Sequence, residues 1–84
     1  MRRDRSSTLY RLFSVSGELL YIGITIAFER RMYEHSIYTD WYADVDKHET
    51  EQIIDRMDAM AIEKYAINTE RPIHNIRHNL QVAA

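Results

Sequence analysis

Polar and apolar positions divide this chain into strand-like and helix-like blocks. Residues 9–15 alternate loosely and are rich in β-formers, which predicts a strand. Ser16-Gly17-Glu18 has turn chemistry, and residues 19–24 form an apolar run of strand length, so the two runs read as an antiparallel hairpin. The period then changes. Phe28, Met32 and His35 recur at helical spacing and predict a buried stripe on a helix over residues 26–36. Thr25 is its expected N-cap, with Glu29 near the positive end. Trp41 and Tyr42 fall in a loop or short helical turn. Residues 47–54 read as a weaker strand whose charges suit a sheet edge. Asp55, with Asp58 three residues on as a capping-box variant, opens a helix over residues 56–68. Met57, Met60, Ala61 and Lys64 share one face of it, and Ala59, Ile62, Ala66 and Ile67 widen the apolar surface. Arg71-Pro72 ends regular helix, and residues 73–80 are a tail that adds a short strand or helix. The order ββαβα predicts an α+β fold, a small three-stranded antiparallel sheet flanked by helices.

Composition narrows this picture. At 84 residues the chain is one domain, expected over residues 8–84 behind a flexible basic arm at 1–7. A chain of this size buries only about 60% of its unfolded surface, so the core is modest. With no cysteine, a thiolate metal site and a disulfide are both excluded, and a reducing, cytoplasmic setting is expected. No apolar stretch approaches a membrane span, and no signal-peptide core follows the basic start. The net charge of −2 is unevenly spread: residues 1–35 carry +2 and residues 36–84 carry −4. Either the surface is simply mixed and solvated, or a positive N-terminal face sits on an acidic body. In the second case affinity for a long nucleic-acid duplex is weak and salt-dependent.

Several residues have both a structural and a chemical reading. Tyr10 and Tyr21 sit on adjacent hairpin strands, where they could pack across the sheet or stand together beside a phosphate. Gly23 could merely ease the chain out of its strand. Arg31 and His35 lie one helical turn apart, with Arg31 at the margin of the Phe28/Met32 stripe, where a guanidinium needs an anion. Arg30 points elsewhere on that helix. Glu63 lies among Ala59, Met60, Ile62, Ala66 and Ile67, and an acid in such company is either paired, for instance with Lys64, or functional. Asn75 alone would be a turn residue. His74 and His78 are four apart but lack a third ligand, so they make a weak zinc site, and His48 shows no partner in the sequence.

Taken in order, Thr8-Leu9-Tyr10, then Tyr21-Ile22-Gly23 ten residues on, then Arg31 with His35, a helical Glu63 and a later Asn75 resemble the GIY-YIG nuclease domain. The resemblance spans residues 8–76. It extends to the Leu9-Tyr10-Arg11 opening, the Leu19-Leu20-Tyr21-Ile22-Gly23-Ile24-Thr25 block and the Glu70-Arg71-Pro72 ending before Asn75, all typical of short bacterial and phage members. Two departures stand out. Thr8 replaces a glycine, and Ile24 stands where excision-repair members carry a lysine thought to help ionise a tyrosine.

The resemblance implies a three-stranded sheet flanked by helices and a metal-dependent endonuclease that cuts DNA by in-line attack of water. It implies Tyr10, Tyr21, Arg31, His35, Glu63 and Asn75 as catalytic residues, with Gly23, Arg11 and Arg30 contacting substrate. Glu63 would ligate one Mg²⁺ or Mn²⁺, weakly without substrate, because one carboxylate is a thin site. Arg31 would stabilise the pentacovalent phosphate, the cation would screen the leaving 3′ oxygen, and Asn75 would brace the site. For the base, a free phenol is only about 0.1% ionised at pH 7, and shifting it by ~3 units takes about 4 kcal/mol, whereas imidazole titrates near 6.5 unaided. On intrinsic pKa His35 is the better base, whereas family precedent favours a tyrosine; Tyr10 is the expected base, with Tyr21 and His35 as rivals. The further DNA-binding domain that gives homing and restriction members specificity is expected to be missing. A protein partner could supply it, and the alternative function is a catalytically weak nucleic-acid- or protein-binding module.

Overall fold

The computed structural model describes residues 6–75. Three strands form one antiparallel sheet in the order β2-β1-β3: β1 is Ser7–Ser14, β2 is Leu19–Thr25 and β3 is Val45–Ile53. Helix α1 (Phe28–Tyr38) and a 3₁₀ turn (Trp41–Asp44) lie between β2 and β3, and helix α2 (Arg56–Glu70) follows β3. The expected ββαβα order is therefore the observed one. No helix among the described residues is long and apolar enough to cross a membrane.

The hairpin forms where its turn chemistry places it. Gly17 has φ 92°, a conformation that costs a side-chain-bearing residue dearly, and its N–H donates to Ser14 O at 2.9 Å. The central strand then sorts its side chains by alternation. Leu9 points to one face, where it packs with Ile22, Ile53, Ala59 and Ala66 under α2. Tyr10 and Leu12 point to the other, where they pack with Met32 and Trp41 under α1 and the 3₁₀ turn.

Three expectations are corrected and a fourth, the charged edge strand, is borne out. The sheet begins inside the supposed arm, because Ser7 is the first residue of β1 and is fully buried. Residues 1–5 lie outside the described part. Thr25 does not cap α1. Its hydroxyl accepts from the Ala27 N–H at 3.0 Å, closing a local turn two residues before the helix starts. Met57 and Met60 do not face the core. Met57 is 73% exposed, while the small Ala59 and Ala66 are buried and let α2 lie close on the sheet. Finally, β3 is more exposed than an ordinary edge strand: from Asp46 to Gln52 every residue is open to solvent. Its charges on both sides suit that position.

Other expectations hold. Asp55 caps α2 by accepting from the N–H groups of Met57 and Asp58. Arg71 ends α2 in the left-handed conformation (φ 54°), ahead of Pro72. Residues 73–75 make a helical turn, and the rest of the expected tail lies outside the described residues.

Candidate functional site

The site grows from one backbone pairing. Tyr10 on β1 lies opposite Gly23 on β2, and its ring crosses the space a side chain would fill. A Cβ at Gly23 would lie 2.5 Å from Tyr10 Oη and 2.6 Å from Cζ, so any larger residue would expel the phenol. Gly23 thus positions Tyr10 through its lack of a side chain.

Over that phenol sits α1. Met32 and His35 bury its inner face, and His35 Nε2 lies 2.8 Å from Tyr10 Oη. The Tyr21 ring completes the group, 4.9 Å from the His35 ring and 6.1 Å from the Tyr10 ring by centroids. Burial raises the Tyr10 pKa well above the ordinary phenol value, the neighbouring Tyr21 adds to the rise, and the Arg31 guanidinium opposes it. Burial also pushes His35 down to about 4, and Arg31 reinforces that. At neutral pH Tyr10 therefore keeps its proton and His35 carries no charge, so in the Nδ1-protonated tautomer the phenol O–H donates to Nε2.

Arg31 lies one turn before His35 and acts on both groups. Its other engagement is an ion pair with Glu34 at 3.2 Å, half-exposed on both sides. Arg30 is 70% exposed and reaches the same Glu34 at 3.8 Å, away from the phenols. Arg11 is turned to the opposite face of the sheet, where its Nε donates to Glu70 at 2.8 Å in a two-pronged pair. The Arg11 hydrogen bond holds Glu70 below the usual carboxylate range, against the opposing push of burial.

Glu63 and Asn75 approach along the free edge of β2. Asn75 is only 8% exposed. Its Oδ1 accepts from the Ile22 N–H at 2.8 Å, and its Nδ2 donates to the Ile22 carbonyl at 3.1 Å. Its amide thus replaces a missing neighbouring strand. One bonding position further on, the Ile24 backbone N–H supports the Glu63 carboxylate. Burial raises the Glu63 pKa, with Arg56 and that N–H pulling the other way. The charge of Glu63 adds the smallest part of the rise at the Tyr10 phenol, although α2 packs on the far face of the sheet.

Sequence reasoning underrated the aromatic wall. The Trp41 ring stacks 5.3 Å from Tyr21, and His74 stacks on Trp41 at 4.7 Å and 12°. His74 is thus engaged with Trp41, and its proposed zinc partner His78 lies outside the described residues. His48, without an obvious partner in the sequence, lies 5.1 Å from the Phe28 ring. The adjacent Trp41-Tyr42 pair was the one signal available for this wall. Arg56, too far back along α2 for an intrahelical bridge to Glu63, nevertheless lowers its pKa through charge.

For a metal, the chemistry of the donor set decides. Among the described residues no three His, Cys, Asp or Glu side chains gather into a cage. One half-buried carboxylate fits a hard oxygen-loving cation that keeps waters and borrows substrate oxygens. It does not fit a soft ion that needs a full protein ligand set.

Comparison with curated proteins and with solved structures returns no significant match. Residues 6–77 match the family model for the GIY-YIG catalytic domain, which covers every element described above. The chain therefore belongs to the GIY-YIG family of nuclease domains.

Proposed function

We propose that this protein is an endonuclease that hydrolyses DNA phosphodiester bonds by in-line attack of water, with one divalent cation, in the cytoplasm. The observation that carries the reading is the 2.8 Å contact between Tyr10 Oη and His35 Nε2, within the electrostatic reach of Arg31 and Glu63.

Each side chain then has a distinct task. Tyr10 donates to His35 and keeps a lone pair on Oη to orient the attacking water. As water loses a proton to Oη, the phenol's own proton passes to Nε2, so the pair acts as one base whose apparent pKa belongs to both. His35 is already in its unprotonated form at neutral pH because burial holds it at about 4. Arg31 stabilises the charge that builds on the phosphoryl oxygens, releasing Glu34 as the substrate phosphate arrives. Tyr21 holds the imidazole against the Trp41 wall, and Asn75 acts by fixing Ile22 between Tyr21 and Gly23. Glu63 would hold Mg²⁺ or Mn²⁺, which when bound supplies Lewis acidity to the leaving oxygen.

Plasmid, single-stranded and branched DNA, incubated with Mg²⁺ or Mn²⁺, tests this reading. Cleavage that disappears with chelator and falls by two orders of magnitude or more in Glu63→Gln is expected. DNA binding without any turnover, or equal cutting by Glu63→Gln, would leave the chain a binding module.

A further inference from the structure

Arg56 is the one arginine beside the site that the family resemblance leaves without a task. It is the first residue of α2, exposed, and forms no salt bridge among the described residues. Its hydrogen-bond partner is a neutral group, the Ser7 hydroxyl at 3.2 Å. The other arginines near the sheet differ in this respect: Arg11 is bound to Glu70, and Arg30 and Arg31 to Glu34.

Arg56 also borders a cavity of about 490 Å³ whose other walls are Ile24, Thr25 and Ile26. That volume falls within the range of small-molecule sites. Two of the four lining residues touch the environment of Glu63, Ile24 through its N–H and Arg56 through its charge. Ile26, in the turn between β2 and α1, is 64% exposed and unexplained by packing. Sign of charge separates this cavity from two others. One, beside residues 37–41, carries Asp40, and one beside the hairpin turn carries Glu18, Asp44 and Asp46. Both would repel a phosphate, whereas the cavity at Arg56 offers a cation beside apolar walls, with the nearby Glu63 carboxylate already offset by that cation.

We propose that this cavity seats the nucleotide flanking the scissile phosphate, with Arg56 on that nucleotide's phosphate and Ile24 and Ile26 against its sugar or base. The assignment rests on the nuclease reading for the word scissile. The seat itself needs only that the chain bind a nucleic-acid strand. A phosphate replaces the Ser7 hydroxyl as the partner of Arg56, exchanging a neutral bond for a charge-assisted one. The apolar walls recognise no particular base, so the contact adds affinity and register and carries no sequence information.

Binding of a fluorescently labelled DNA oligonucleotide, followed by anisotropy over a salt series in chelator, tests this without turnover. Arg56→Gln is expected to flatten the slope of log affinity against log salt by about one phosphate contact, equally for unrelated sequences. Ile26→Asp, at an exposed position, is expected to weaken binding at low salt by about tenfold or more through repulsion of the neighbouring phosphate. Ser7→Ala, which removes the partner and keeps the arginine, is expected to bind as the wild type does. An unchanged slope in Arg56→Gln, wild-type binding by Ile26→Asp, or an equal loss in Ser7→Ala would each overturn the assignment. A wild-type protein that binds with the expected slope but cuts nothing removes the nuclease reading and leaves the seat standing. One that cuts while Arg56→Gln keeps the full slope removes the seat alone, and one that binds no DNA removes both.

Discussion

The two faces of the sheet share a central strand and divide the labour of the domain. Under α2, Leu9 meets Ile22, Ile53, Ala59 and Ala66, all aliphatic and all without a polar atom in the side chain. Under α1, Tyr10 and Leu12 meet Met32 and Trp41, flanked by Tyr21, Phe28 and Tyr42, and the buried His35 sits among them. The first face can bury area at no electrostatic cost. On the second, burial works against ionisable groups, raising Tyr10 and lowering His35. One residue step along β1 separates the two regimes. The difference teaches that the aliphatic burial lies on one side of the backbone and the phenol–imidazole pair on the other, with Glu63 of α2 approaching along the edge of β2, so substitutions in the two clusters should have separable effects.

The largest expected effect is on the aliphatic face. Leu9→Ala should cost about 2–5 kcal/mol in chemical denaturation, a large share of what a domain this small has. A loss below 1 kcal/mol would mean that the α2 face is not the main source of stability. On the other face, Arg31→Ala should lower kcat/KM for DNA cleavage by about 10²–10³. Its melting temperature should stay near that of the wild type, because a half-exposed ion pair contributes at most about 1 kcal/mol. A variant that loses stability and activity together would blur the division.

Acid titration gives a third, smaller effect. His35 has a folded pKa of about 4 against 6.5 when free, so across that window the unfolded chain binds a proton that the fold refuses. Stability is full above 6.5 and falls as pH drops towards 4, by an amount on the order of 3 kcal/mol. Glu63 acts with the opposite sign at the acid end, since burial raises its pKa and protonation favours the fold. Denaturation of wild type and His35→Phe from neutral to acid pH should give the flatter dependence in the variant, and identical slopes would remove His35 as the cause. The smallest effect belongs to neither face: Met57→Gln, at an exposed position on the outer side of α2, should change stability by no more than about 0.5 kcal/mol.

Local pattern made much of this legible. The hairpin followed from β-forming runs around Gly17, and the Phe28/Met32/His35 stripe from its period. Asp55 was readable as a cap because capping is settled within three residues. What the sequence hid depended on partners far along the chain. Hydrophobicity ranks Met57 above Ala59, yet close approach of a helix to a sheet selects small residues, so the wrong side of α2 looked apolar enough to bury. Arg11 looked available for substrate, and only a residue 59 positions away shows that it is taken. Glu63 stood out by its apolar company, but its link to Tyr10 needed the edge of β2 to bring α2 round. Asn75 read as a turn residue because nothing near it announces the backbone of Ile22.

That last contact has a consequence for how the domain comes into being. The amide that closes the border of β2 lies 53 residues downstream of the strand it closes. Pairings of such long range form late, since the intervening chain must first surrender its freedom. A growing polypeptide emerging from the ribosome can build its hairpin early, but it cannot finish the cleft until this distant asparagine has been made.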